Sequence, residues 1–85
     1  MNWIIVIDSQ AEKRLKKFPV KDYERIRRII NAMEANPFFG DVNKLSGTEN
    51  IWRKRIGNYR IIYEFYESKR IIYISDIKRR TSNTY

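Results

Sequence analysis

The C-terminal half of the chain contains three apolar segments that are separated by links short enough to form tight hairpins. The segments cover residues 51–56, 59–66 and 70–77, and each is rich in isoleucine, tyrosine or tryptophan, which favour β-strands. Between them lie Gly57-Asn58 and Glu67-Ser68-Lys69, and links of two or three residues are typical of antiparallel hairpins. The sequence therefore predicts a three-stranded antiparallel meander.

The N-terminal half predicts one strand followed by a helix. Residues 2–7 are bulky and β-branched and favour a strand with both faces covered. Ser9 and Glu12 match a capping box, so a helix should begin near residue 10. Pro19 should end that helix, because the residue before a proline is disfavoured in the helical region. One face of this helix is apolar and carries Ala11, Leu15 and Phe18.

A second helix should run from about Lys21 or Asp22 to Ala35, and the loop that follows should cover residues 36–50. Its apolar stripe has helical spacing and comprises Tyr23, Ile26, Ile29, Ile30 and Met33. The 85 residues suffice for a single domain, residues 1–85. The predicted class is α+β, with a helical hairpin packed against one face of a sheet of about four strands.

Composition excludes several kinds of chemistry. The chain has no cysteine and no histidine, which removes thiolate nucleophiles, thiolate metal sites and hydrolases built on histidine. We therefore expect no metal and no cofactor. The longest apolar run has only five residues, too few for a transmembrane helix.

Positive charge dominates, and most of its excess lies in the second half. The net charge is +8, and residues 44–85 hold ten basic but only four acidic side chains. Such a bias points to a polyanionic partner, with nucleic acid as the first candidate and a merely basic, soluble surface as the alternative.

Alternation along residues 52–56 places two arginines together. Arg53 and Arg55 should share the open face of the sheet, about 7 Å apart, and Arg60 should lie beside them across the hairpin. Lys54 then points toward the helices, so it must either snorkel from the edge of the core or mark a bulge. The structural alternative is a surface ladder of ion pairs, with Arg60 bound to Glu64.

The C-terminal segment adds further cations, and two interpretations of it remain open. It consists of Lys78, Arg79 and Arg80 followed by polar residues up to Tyr85. It is either a frayed basic tail or a segment that folds back over the open face. In the second case Tyr85 can stack on a base or act as an acid–base group.

Three parts of the sequence together resemble a known family. They are the Lys44-Leu45-Ser46-Gly47 loop, the hairpin sequence WRKRIGNYRIIY over residues 52–63, and the basic segment that ends at Tyr85. They resemble the RelE/ParE superfamily of bacterial and archaeal toxins over essentially the whole chain. The resemblance implies a toxin of a type II toxin–antitoxin system, acting in the cytoplasm and held by a cognate acidic antitoxin.

The RelE branch implies a ribosome-dependent, metal-free endonuclease that cuts mRNA by 2′-hydroxyl attack on the adjacent phosphate. By position, the implied catalytic residues are Arg53, Arg55, Arg60, Arg79 or Arg80, and Tyr85. The implied substrate-binding residues are Lys44, Lys54, Lys78 and Arg80. A guanidinium is a poor base, so the general base stays open among Lys54, Lys78, Tyr85 and alignment alone. The alternatives are a ParE-like inhibitor of DNA gyrase without enzymatic activity, and a degenerate member that only binds.

Overall fold

The computed structural model describes residues 2–45, 47 and 50–79. Within these ranges the chain forms five strands and two helices. In chain order they are β1 (Ile4–Ile7), α1 (Ser9–Lys16), α2 (Val20–Ala32), β2 (Asp41–Lys44), β3 (Ile51–Ile56), β4 (Tyr59–Tyr66) and β5 (Ile71–Arg79). Neither helix is long and apolar enough to cross a membrane.

The five strands form one mixed sheet in the order β1-β5-β4-β3-β2. Strands β3 to β5 pair antiparallel, as predicted for the meander. Strand β2 also pairs antiparallel, with β3, and β1 pairs parallel with β5. The helices cover one face, where their apolar sides meet the inward side chains of the sheet. The fully buried members of this core include Leu15, Ile26, Met33, Ile61, Tyr63 and Ile74. The α+β class is therefore confirmed.

The first helix begins one residue earlier than the capping box predicted. Asp8, not Ser9, is the N-cap, and its carboxylate accepts a hydrogen bond from the backbone N–H of Gln10 at 3.0 Å. Pro19 separates the helices as predicted and is itself the N-cap residue of α2. Because its fixed φ suits a helix start, one residue ends α1 and begins α2.

Two expectations about the sheet were wrong. The predicted loop over residues 36–50 contains the short strand β2, which completes a sheet of five strands rather than about four. Strand β1 has one covered face instead of two, and the side chains of Ile4 and Val6 are 58% and 40% exposed. The reason is that β1 is an edge strand and no layer covers the second face of the sheet there.

A β-bulge in β5 changes which side chains face the helices. Ile62 pairs with Asp76 while Tyr63 pairs with Ile74, so Ser75 is an extra residue on β5. Beyond the bulge the alternation shifts by one position, and Ile77 is buried. The bulge therefore decides the facing of the last residues of β5.

Candidate active site

Three cations form a row across the open face, which is the face without helices, at the end of the sheet nearest the β3–β4 turn. Arg60 on β4 lies in register with Arg55 on β3 and with Lys78 on β5. Neighbouring strands are about 4.8 Å apart, so the row crosses three strands within about 10 Å. We call Arg55, Arg60 and Lys78 the basic row.

Arg53 extends the row into a basic cluster of four cations. It lies two residues before Arg55 on β3 and so points to the same face. Its Nε atom is enclosed, and within the described residues it has no hydrogen-bond partner. Enclosed donors without an acceptor are rare in folded proteins, and the described contacts give no partner for this one.

Two carboxylates flank the cluster, one at each end of the basic row. Asp41 on β2 lies 4.0 Å from Nε of Arg55, and Asp76 on β5 lies 4.0 Å from Nζ of Lys78. Asp76 also bonds to Arg14 of α1. Sequence proximity had suggested Glu64 instead. Asp41 was missed because β2 was not predicted, and Asp76 because its position depends on the bulge.

Glu64 lies farther along β4, away from the basic row. Four residues along a strand separate it from Arg60, a distance of about 13 Å between Cα atoms. Its carboxylate accepts a hydrogen bond from the hydroxyl of Tyr66, and its strand neighbours are Ile51 and Tyr73. Glu64 therefore belongs to a different part of the open face.

Lys54 points the other way and lies inside the protein. Its side chain is 1% exposed, its ammonium bonds to the carbonyl of Phe39, and it sits 3.8 Å from the centroid of the Phe39 ring. Burial lowers the pKa of Lys54 from 10.5 to about 8. Both predicted solutions were wrong: strand β3 has continuous register here, so no bulge forms, and the ammonium does not snorkel to solvent but stays enclosed in the core. Lys54 is not part of the basic cluster.

The remaining predicted residues divide between the helix side and the undescribed positions. Lys44 pairs with Trp52 at the edge of the sheet, on the same side as Lys54. Arg79 pairs with Tyr59, and its guanidinium lies 5.9 Å from the centroid of that ring on the helix side. The structure thus brings Lys78, and not Arg79, into the basic row. Arg80 and Tyr85 lie outside the described residues, as does Ser46 of the Lys44–Gly47 loop.

The other end of the open face is largely apolar. A groove of about 460 Å³ lies there between the β1 edge and the β4–β5 turn. Its lining comprises Val6, Glu64, Tyr66, Ser68, Lys69, Ile71 and Tyr73. The two ends of this face therefore differ in chemistry, and only the basic cluster is suited to hold a phosphate.

The described residues offer no carboxylate cluster in place of the cations. Among residues 2–45, 47 and 50–79, no three acidic side chains lie close enough together to hold a metal ion. What the site presents is a row of guanidinium and ammonium groups on adjacent strands of one sheet. Such groups can clamp a phosphate through two hydrogen bonds and stabilise added negative charge on its oxygens.

Comparison with known proteins identifies the family. Residues 5–84 match the family described as ParE toxin of type II toxin-antitoxin system, parDE. A Methanocaldococcus jannaschii protein named RelE1, after the RelE toxins, is 30% identical over 83 residues, covering 94% of this chain and 92% of that protein.

Solved structures of archaeal relatives agree with this result. A chain of the RelE–RelB complex from Pyrococcus horikoshii OT3 is 31% identical and has a TM-score of 0.83, covering 96% of this chain and 99% of that chain. A chain of the RelB–RelE antitoxin–toxin complex from Methanococcus jannaschii is 27% identical with a TM-score of 0.73, covering 87% and 88%. With its sequence matched nearly end to end and its basic cluster on an open sheet, the chain belongs to the RelE/ParE superfamily of type II toxins.

Proposed function

We propose that this chain is a toxin of the RelE type that cleaves mRNA on the ribosome. The observation that carries the proposal is the basic row, in which Arg55, Arg60 and Lys78 lie in register on three adjacent strands. A row of this kind fits one phosphodiester, because its non-bridging oxygens can meet a donor from each strand. Arg53, two residues before Arg55 on β3, adds a further guanidinium group on the same face beside the row.

In this proposal the cations align the substrate and stabilise charge. Attack of the 2′-oxygen on the adjacent phosphorus forms a new P–O bond, breaks the bond to the 5′-oxygen, and leaves a 2′,3′-cyclic phosphate. The 2′-hydroxyl gives up a proton and the leaving 5′-oxygen takes one. Arg55 and Arg60 hold the non-bridging oxygens, where negative charge increases in the pentavalent transition state. Alignment of the attacking and leaving oxygens supplies much of the remaining acceleration.

The positions of two lysines bear on which groups we propose as proton donor and acceptor. Lys54 is enclosed on the opposite side of β3, so we do not propose it as the base. Lys78 lies in the basic row with a 64% exposed side chain and can reach a bound phosphate. As an ammonium it is suited to protonate the leaving 5′-oxygen. Tyr85 stays a candidate for stacking or proton transfer.

A cognate antitoxin is the proposed partner. The two archaeal relatives above were both solved as complexes of RelE with RelB. For this chain, with its +8 charge, we propose an acidic antitoxin that covers the basic cluster or wraps the helices. Because the attraction is electrostatic, association should slow as salt is raised through about 0.5 M. Association that is independent of salt would contradict an acidic partner.

The test of the nuclease is Arg60→Ala, with Arg28→Ala on the exposed side of α2 as the matched control. Removing one donor to a transition-state oxyanion lowers the rate by about 10² to 10³. We therefore expect cleavage of mRNA on purified ribosomes, and growth arrest in cells, to be lost with Arg60→Ala and retained with Arg28→Ala. Thermal midpoints measured in parallel should differ by no more than about 2 °C. Full activity of Arg60→Ala would contradict the assignment.

If Arg60→Ala fails to fold, Lys78→Ala gives the same test at an exposed position. Its loss of cleavage with an unchanged thermal midpoint supports the proposal, and retained cleavage contradicts the role of the basic row. Either variant tests the site through chemistry and not through stability.

A second candidate is an inhibitor of DNA gyrase, because the matching family is described by its ParE member. The two functions differ in what fails first when the wild-type chain is induced in cells. Translation should stop while plasmid supercoiling is still normal if the chain is a nuclease. Loss of supercoiling with intact message would instead support the ParE-like function.

A further inference from the structure

A second concave site lies at the end of the sheet, where β3 turns into β4. It is a cleft of about 200 Å³, built from helix α2, the segment that leads into β2, and the β3–β4 hairpin. Because one water accounts for about 30 Å³ of liquid, the cleft has room for a phosphate group. The lining residues used below are Arg25, Phe39, Asp41, Lys54, Arg55 and Gly57.

Arg25 reaches this cleft from the helix layer. Its guanidinium lies over the hairpin turn, since a β-carbon at position 57 would be 3.2 Å from Nη1 of Arg25. Gly57 has φ +56°, a conformation that residues with a side chain disfavour. The turn therefore has no side chain at this position, and its backbone lies close to the guanidinium. Within the described residues Arg25 forms no hydrogen bond or ion pair. Its five donors are therefore available.

Positive charge exceeds negative charge around the cleft. Arg25, Arg55 and Lys54 contribute three cations, and Asp41 contributes one carboxylate, 4.0 Å from Nε of Arg55. The ammonium of Lys54 has one hydrogen bond, to the carbonyl of Phe39. Its other described contact is the Phe39 ring, so no carboxylate among the described residues neutralises it, although the side chain is 1% exposed. A buried cation that is only partly satisfied favours an anion nearby.

We propose that this cleft binds a second phosphate of the RNA backbone, held by Arg25 and Arg55, next to the phosphate held by the basic row. The inference rests on the proposed function for its ligand. Arg55 belongs to both the basic row and the cleft. A single-stranded RNA can therefore run from the basic row around the hairpin turn with a cation beside each successive phosphate. Arg25 is thus a substrate-positioning residue contributed by the helix layer.

The occupant is a backbone phosphate, because the groups in the cleft that can bind a ligand are mainly cationic side chains. Arginine forks match phosphate oxygens in pairs, while reading a base needs an aromatic face or a hydrogen-bonding edge. The aromatic side chain in the cleft, Phe39, is taken by the Lys54 ammonium at 3.8 Å. Binding here should therefore be independent of base identity.

The experiment measures binding of a fluorescent 2′-O-methyl oligoribonucleotide, which lacks the attacking hydroxyl, to wild type, Arg25→Ala and Arg28→Ala. For single strands, the logarithm of the binding constant falls with the logarithm of salt by about 0.7 for each phosphate neutralised. Arg25→Ala should make this slope shallower by about 0.7, equally for oligonucleotides of different sequence. Arg28→Ala, on the same helix, should keep the wild-type slope and thus exclude an effect of net charge alone.

An unchanged slope for Arg25→Ala overturns the inference, as does failure of the wild type to bind the oligonucleotide. Inorganic phosphate that raises the thermal midpoint of wild type but not of Arg25→Ala, with equal RNA slopes, would mean a free-anion site and also overturns it. The nuclease proposal is tested separately by Arg60→Ala. A chain that binds RNA through Arg25 but cleaves nothing refutes the nuclease and leaves this site in place.

Discussion

The two faces of β3 give three consecutive cations opposite environments. Arg53 and Arg55 point to the open face, where the side chain of Arg55 is 44% exposed, while Lys54 between them is enclosed by the helix layer and 1% exposed. On the open face the strand spacing brings cations from β4 and β5 alongside. On the helix face the ammonium of Lys54 contacts a carbonyl and an aromatic ring of the fold itself. The guanidinium groups on the open face can bind a ligand directly, whereas Lys54 acts from an enclosed position.

The largest effect that separates the two faces should be on cleavage. Arg53→Ala removes an open-face donor and should lower the rate of mRNA cleavage by about 10² to 10³. Lys54→Met replaces the neighbouring cation with an apolar side chain of similar length and should retain most of the activity. Single-turnover cleavage on ribosomes measures both. Equal losses in the two variants would remove the functional distinction between the faces.

The next effect concerns stability and pH on the helix face. The pKa of Lys54 is lowered to about 8 in the folded chain, against 10.5 when exposed. Between these values the unfolded state binds more protons, so the free energy of unfolding should rise with pH. From pH 7 to pH 9.5 the wild type should gain about 2 kcal/mol relative to Lys54→Met. Urea unfolding at several pH values measures this, and parallel pH profiles would contradict the burial of a charged Lys54.

The smallest effect compares tyrosine hydroxyls on the two faces. Tyr59, on the helix side, donates a hydrogen bond to Asp22 at 2.6 Å, and its side chain is buried. Tyr59→Phe should cost about 1 to 2 kcal/mol, because the bond goes to a charged acceptor. Tyr66 on the open face is exposed and bonds to Glu64, so Tyr66→Phe should leave the unfolding midpoint unchanged. The opposite order in denaturant midpoints would contradict this contrast.

Local patterns sufficed for most of the fold. The three strands of the meander follow from β-branched runs with two-residue and three-residue links, and Pro19 correctly separates the two helices. The placement of Arg53, Arg55 and Arg60 on one face follows from simple alternation across a short hairpin. These features depend on residues that are close together in the sequence, so a single sequence suffices to predict them.

What escaped prediction depends on contacts between distant segments. Strand β2 has one apolar residue, Val42, and exists because its backbone pairs with β3. Asp8 displaces Ser9 as the helix cap, and its carboxylate also receives the Tyr73 hydroxyl at 2.6 Å, from the far end of the chain. Lys78, and not Arg79, lies in the basic row because the bulge at Ser75 shifts the alternation of β5 by one position. None of these has a local sequence signal strong enough to identify it.

The extra residue at Ser75 also restricts how this chain can change length during evolution. Because Asp76 lies opposite Ile62 and Ile77 opposite Ile61 despite the extra residue, deleting Ser75 alone would restore simple alternation and leave the facing of each later position unchanged. Ile77 would keep its place in the core, and Lys78 would stay beside Arg60. A second one-residue deletion has no extra residue left to absorb it, so it would exchange the sides of Lys78 and Arg79. One deletion in this stretch of β5 should therefore be tolerated during evolution, and two should not.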